Sequence, residues 1–250
     1  MASPKAIFFD VGWTLLRPRE TLWDIFASLS STAGAPIEAR QAEDLVHSLM
    51  KANLESSIAS FESGTLYTDS DEEFTQLFMN MARAIFVFTD MPGDHDRLAA
   101  AFMERFWNRD NWIVFPDVIL GVERLRARGL KLGILSNAGS NLLEFLSALG
   151  LLGHFDFSVV SAIEGTKKPD RRIYERALER AGVGPSEAVH VGDMYLEDVL
   201  GPRKLGVRPL LIERGEYAMF PHYPESANHP GASIDVVRDL TDVMSTLGLS

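Results

Sequence analysis

The stretch Lys5-Ala6-Ile7-Phe8-Phe9-Asp10-Val11-Gly12-Trp13-Thr14-Leu15 decides the fold. Its apolar run, Ala6 to Phe9, is stopped at once by Asp10. That is too short for a membrane span and too soon interrupted for a signal peptide, so it reads as a buried strand. A strand apolar on both sides belongs to a parallel sheet covered on both faces. In open sheets of that kind ligands bind beyond the carboxyl ends of the strands, where Asp10 stands.

Downstream, the pattern changes to helical spacing. Leu22, Ile25, Phe26 and Leu29 form one stripe, and Ala42, Leu45, Val46, Leu49 and Met50 another. Phe74, Leu77, Phe78, Met81, Ala82, Ile85 and Phe86 form a third, and Leu98, Phe102 and Phe106 a shorter fourth. Four amphipathic helices with no strand among them predict a small bundle.

After about Pro116, strands and helices alternate. The reading is a helix over Asp117–Arg128, a strand over Leu130–Leu135, a helix over Asn141–Leu149 and a strand over Phe157–Val160. A helix capped by Asp170 and ended by Gly182 follows, then strands at Ala188–Val191 and Val207–Ile212, and a closing helix over Val236–Leu247. Glu216 to Ala232 reads as an extended loop. The fold class is therefore α/β, a Rossmann-type parallel sheet with helices on both faces, interrupted after its first strand. The expected core is 1–16 with 112–250, and the inserted helical unit is 17–111.

With 24 Lys plus Arg against 35 Asp plus Glu, the net charge is −11. Such a field repels phosphate backbones and anionic lipid, which argues against nucleic acid and membrane as partners. A small anionic substrate stays compatible, because a metal and a lysine reverse the potential inside one pocket. Cysteine is absent, which excludes disulfides, thiol nucleophiles and thiolate metal sites, and fits a cytoplasmic location. Monomer and homodimer both stay open.

Four chemical groups fall at strand ends: Asp10, Ser136 with Asn137, Asp193, and Lys168 in a loop after the next strand. They converge on one crevice if the sheet forms as read. Here the residues carry a resemblance. Asp10-Val11-Gly12-Trp13-Thr14 resembles the first motif of the haloacid dehalogenase superfamily, Ser136 after Gly133-Ile134-Leu135 the second, and Lys168-Pro169 the third. Gly192-Asp193-Met194-Tyr195-Leu196-Glu197-Asp198 resembles the fourth. The helical insertion after the first motif is similar to that family's first class of cap.

The resemblance implies a Mg²⁺-dependent hydrolase acting on a small phosphorylated substrate. Asp10 would be the nucleophile, passing through an aspartyl-phosphate. Mg²⁺ would be held by Asp10, the Gly12 carbonyl and Asp193, with Asp198 orienting its water. Lys168 would neutralise charge, and Thr14 and Ser136 would hydrogen-bond phosphoryl oxygens. Asn137 reads equally as a phosphate contact or a turn former. His190, inside an apolar strand, reads as a packed core histidine, and Lys167 as a solvated one. Trp13, Arg17 and Trp23 are candidates for the pocket wall, Trp23 equally for the helical core. His222 and His229 lack the partners a zinc site needs.

Gly12 departs from the family's pattern. Phosphatases of the superfamily carry there a second aspartate that protonates the leaving group. Its loss leaves three readings: a specialised phosphatase, a 2-haloacid dehalogenase whose halide needs no proton, or a weakly catalytic binding protein.

Overall fold

The computed structural model describes residues 3–217 and 234–249. In chain order its elements begin with β1 (Ala6–Phe9), β2 (Leu16–Pro18), α1 (Leu22–Thr32), α2 (Ala39–Glu62), α3 (Asp71–Phe88), α4 (His95–Phe106) and β3 (Trp112–Val114). There follow α5 (Val118–Ala127), β4 (Lys131–Ser136), α6 (Leu142–Ala148), β5 (Phe157–Val160), α7 (Ser161–Glu164), α8 (Arg171–Ala181) and β6 (Ala188–Gly192). A π-helical turn, Tyr195–Leu200, leads into α9 (Gly201–Leu205), β7 (Arg208–Ile212), β8 (Asp235–Val237) and α10 (Leu240–Thr246).

The chain forms two compact units. The first comprises Met1–Arg17, Gly64–Ser70 and Val114–Ser250, and the second Pro18–Ser63 and Asp71–Ile113. Gly64–Ser70, inside the stretch read as a helical insertion, thus belongs with the first unit.

The first unit is built on a parallel six-stranded sheet in the order β5-β4-β1-β6-β7-β8. β1 is central and fully buried, as its unbroken apolar run requires. The chain fills one side of β1 with β4 and β5 and the other with β6, β7 and β8, so β1 lies at a topological switch point. Phe9 is in register with Ile134 of β4 and Val191 of β6. That register brings Asp10, Ser136 and Gly192-Asp193 out at neighbouring strand ends.

Helix α8 shows how the sequence pins this sheet. Asp170 caps it by accepting from the Arg172 N–H at 2.9 Å. Gly182 ends it in the left-handed region at φ 66°, where glycine carries no Cβ penalty. Its stripe of Ile173, Tyr174, Ala177, Leu178 and Ala181 packs with Phe8, Leu135 and Val159. Burying a side chain such as Ile173 or Leu178 stabilises by roughly 1.5–3 kcal/mol.

The closing helix expected over Val236–Leu247 is in fact a strand, β8, followed by α10. Three residues on a sheet edge are too few to show a period of two. Most of the loop read at Glu216–Ala232, with His222 and His229, lies outside the described residues.

The second unit contains α1 to α4. Thr21 opens α1 with a capping box, its hydroxyl accepting from the Asp24 N–H at 3.1 Å while the Asp24 carboxylate accepts from the Thr21 N–H at 3.0 Å. The first, third and fourth stripes meet at Phe26, which stacks on Phe102 at 4.5 Å and lies edge-on to Phe86 at 5.3 Å. Trp23 pairs with His47 at 5.5 Å in this unit. Among the described residues no helix is long and apolar enough to cross a membrane.

Candidate active site

Asp10 leaves β1 with its N–H bonded to the Val191 carbonyl at 2.9 Å, continuing the sheet by one residue. The chain then turns sharply. Trp13 adopts φ 52°, rare for a residue with a side chain, and its N–H donates to the Leu16 carbonyl at 2.7 Å. Thr14 is fully buried. Its hydroxyl has no partner among the described residues, while its carbonyl accepts from the Arg214 guanidinium. A Cβ added at Gly12 would meet nothing within 4 Å.

On this turn Asp10 is held by two donors. The Ser136 hydroxyl donates to Asp10 Oδ1 at 3.0 Å, and Lys168 Nζ donates to the same oxygen at 2.7 Å. Lys168 Nζ also donates to Asp198 Oδ1 at 2.7 Å. Its side chain is 2% exposed, which is tolerable for an ammonium only because two carboxylates partner it. Asn137 is committed to the lysine's own backbone. Its amide oxygen accepts from the Lys168 N–H at 2.8 Å, and its NH₂ donates to the Lys168 carbonyl at 3.0 Å. The structure therefore places Asn137 as a clamp on the lysine loop.

Asp198 is brought in by the turn after β6. The Met194 N–H donates to its Oδ2 at 2.9 Å. Gly192 makes room: a Cβ there would lie 2.2 Å from Asp198 Cγ. His190, fully buried in β6, places Nε2 at 2.7 Å from Asp198 Oδ1. The histidine read as a core residue is buried as expected, and it also contacts the site. Asp10, Asp193 and Asp198 can each place a carboxylate oxygen within 4.8 Å of the others.

Burial pushes the Asp10 carboxyl above its ordinary range, opposed by Lys168 and reinforced by Asp198. Asp193 is driven well above its range by burial, then by the charges of Asp10 and Asp198. Asp198 goes the other way: burial opposes its charge, but Lys168 and His190 outweigh it. Burial lowers the pKa of His190, which favours its neutral form. Lys168 is raised because its two carboxylates outweigh its burial. Burial and then Asp198 push Glu197 up to about 7.

Three carboxylates thus share one ammonium and one imidazole whose burial disfavours its charged form. The deficit is positive charge, and the donors are hard oxygens. That set fits a hard divalent cation of the Mg²⁺ or Ca²⁺ kind.

Arg214, Tyr67 and Asp69 gave no readable signal in the sequence. Arg214 binds the first loop by sending two bonds to the Thr14 carbonyl and a pair of 2.9 Å bonds to the Asp117 carboxylate. Arg17, a candidate wall residue, places its guanidinium over the Tyr217 ring at 4.2 Å. Tyr67 and Asp69 lie against the lysine loop from a segment that reads only as a connection between helices.

Residues 4–206 match the family model of haloacid dehalogenase-like hydrolases. The chain is 33% identical to haloacid dehalogenase-like hydrolase domain-containing protein 3 of Danio rerio, covering 83% of this chain and 84% of that protein. It is 29% identical to a glyceraldehyde 3-phosphate phosphatase of Methanopyrus kandleri, over 92% of this chain and 98% of the phosphatase. In fold it is similar to an L-2-haloacid dehalogenase, with a TM-score of 0.70 at 21% identity over 99% of this chain and 100% of that one.

Proposed function

The chain belongs to the haloacid dehalogenase-like hydrolases, and on that premise we propose that it is a Mg²⁺-dependent phosphatase of small phosphate esters with Asp10 as nucleophile. The observation that carries this reading is the convergence of Asp10, Asp193 and Asp198 within 4.8 Å around a buried lysine. Asp10, the Gly12 carbonyl, Asp193 and Asp198 are the residues that would hold the cation. When bound, it would neutralise charge on the transferring phosphoryl group and on the carboxylates that approach it.

The rest follows from the chain's own groups. Ser136 and Lys168 both address Asp10 Oδ1 and so fix the carboxylate by one oxygen. The other oxygen attacks phosphorus, the ester P–O bond breaks, and the alkoxide leaves and takes its proton from solvent. Water then attacks the aspartyl-phosphate, releasing phosphate and restoring Asp10. Lys168 offsets charge throughout. Thr14 contributes a buried hydroxyl with no partner among the described residues, the state expected of a donor reserved for a phosphoryl oxygen. Gly12 has no side chain to move the leaving group's proton, so substrates with acidic leaving groups should turn over fastest.

Gly12 also favours a second reading, a 2-haloacid dehalogenase, in which Asp10 displaces a halide that needs no proton. The Asp193 and Asp198 carboxylates beside Asp10 count against it, since an anionic haloacid gains nothing from two further buried negative charges. The test is release of phosphate from 4-nitrophenyl phosphate with and without Mg²⁺, alongside halide release from a 2-chloro acid without metal. Mg²⁺-dependent phosphate release that disappears in Asp10→Asn supports the phosphatase. Metal-independent halide release with no phosphate release would refute it.

A further inference from the structure

Between α2 and α3 the chain passes through Gly64–Ser70, which clusters with the α/β unit. This strap docks beside the catalytic lysine. The Tyr67 carbonyl accepts from the Lys167 N–H at 3.2 Å and from the Thr166 hydroxyl at 3.0 Å. The Tyr67 N–H donates to Asp170 Oδ2 at 3.1 Å. Both backbone groups of one residue thus bond to the loop carrying Lys168, as a strand edge does. That anchors the side chains on either side of it.

Two of those side chains carry buried polar atoms with no hydrogen-bond partner among the described residues. The Tyr67 hydroxyl is buried with no hydrogen-bond partner among the described residues. It lies close enough to Glu197 and Asp170 for their charges, after burial, to raise its pKa. The backbone bonds of Tyr67 to Thr166, Lys167 and Asp170 flank Lys168, which holds the phenol to the loop that carries the lysine. Asp69 is 5% exposed, and neither of its carboxylate oxygens has a hydrogen-bond partner among the described residues. Lys167 Nζ stands 3.9 Å from Asp69 Oδ1, close enough to offset its charge but too far to occupy a lone pair.

A buried carboxylate with open lone pairs is costly unless a donor reaches it. Because Lys167 already offsets its charge, a neutral donor suits Asp69 better than an ammonium, which Lys167 would repel. A carboxylate with both oxygens open accepts two hydroxyls at once, and the neighbouring phenol can serve a third oxygen. We propose that Tyr67 and Asp69 form a subsite for hydroxyl groups on the alcohol part of the substrate, so that the enzyme selects phosphate esters of polyhydroxylated alcohols over plain alkyl phosphates. This rests on the phosphatase reading of the adjacent site.

The test is equilibrium binding by calorimetry to the full-length Asp10→Asn protein with Mg²⁺, in which turnover is blocked. The probes are glycerol 3-phosphate and propyl phosphate, which share charge and carbon skeleton and differ in two hydroxyls. Glycerol 3-phosphate should bind roughly 10-fold or more tighter. Adding Asp69→Asn, Asp69→Ala or Tyr67→Phe should bring that ratio towards one, with folding checked by circular dichroism. A ratio near one at the start, a ratio untouched by all three substitutions, or binding of neither phosphate overturns the proposal. Turnover of 4-nitrophenyl phosphate by the protein with Asp10 intact separates the two claims. Turnover with a ratio of one removes the subsite and spares the phosphatase. A hydroxyl preference without any phosphate release removes the phosphatase and leaves the subsite standing.

Discussion

Gly12→Asp is expected to make a faster enzyme, although it adds a charge beside three carboxylates. The position accepts the side chain: a Cβ built on Gly12 meets nothing within 4 Å, and its backbone is outside the left-handed region where a side chain is strained. The new carboxyl would enter an environment that already pushes Asp10 and Asp193 upward through burial and mutual repulsion. Burial acts in the same direction on the new group and favours its protonated form, as a proton donor to a leaving alcohol requires. A positioned general acid/base contributes about 10²- to 10⁴-fold, or about 3–5 kcal/mol in activation free energy. Because protonation matters most for poor leaving groups, the gain should be largest on alkyl phosphates and smallest on 4-nitrophenyl phosphate. The assay is kcat/KM across esters of graded leaving-group pKa, with Mg²⁺ in excess. The slope of log kcat/KM against that pKa should flatten in the variant. A folded variant with unchanged or slower alkyl phosphate turnover and an unchanged slope would refute the reasoning and leave Gly12 a steric role.

Mg²⁺ should stabilise the protein in the absence of substrate. At about 100 times its Kd the gain is about 2.7 kcal/mol, or roughly 5–10 °C in Tm for a chain of this size, and Asp193→Asn should remove the shift seen by scanning calorimetry. Arg214→Met should destabilise by about 3–5 kcal/mol in urea unfolding, because it leaves Asp117 and the Thr14 carbonyl without their buried cation; a loss below about 1 kcal/mol would show that the guanidinium does not hold the first loop. Asp170 titrates below its ordinary range because its bonds from Arg172 and the Tyr67 N–H outweigh its burial. A lowered folded pKa stabilises above the unfolded value and is lost as pH falls through the folded one. Asp170→Ala should therefore cost at least about 1 kcal/mol at pH 7, and the difference from the unsubstituted protein should shrink on acidification below about pH 4; a gap that persists there contradicts the assignment.

The sheet was legible because burial on both faces leaves an unbroken apolar run, as at Ala6–Phe9, and because each such run ends in a residue that cannot continue it. Asp10, Ser136 and Asp193 could be placed for the same reason: a strand end is a one-dimensional feature. β8 escaped because three residues on an edge carry no period. Asp69, Tyr67 and Arg214 escaped for a different reason. Each makes contacts with residues about a hundred or more positions away, which no local pattern encodes. His190 shows the limit most clearly. An apolar strand does bury it, as its neighbours suggest, yet its second role depends on Asp198 returning through a turn that only Gly192 permits.

The electrostatics of the site also say in what order it can work. Asp10, Asp193 and Asp198 outnumber Lys168, and the burial that lowers the His190 pKa favours a neutral imidazole. The molecule as a whole carries −11. A phosphate ester therefore meets repulsion both on approach and on arrival unless a cation has entered first. The same carboxylates that repel the ester are the ones that would hold the cation, so each ligand should strengthen the other. Linkage requires the two effects to be equal: the factor by which Mg²⁺ tightens a phosphate ester is the factor by which the ester tightens Mg²⁺. Titrating each in the presence and absence of the other, in the Asp10→Asn protein, gives two independent values for one quantity. A common factor of one, with neither ligand changing the affinity of the other, would mean that the ion and the ester do not share this site.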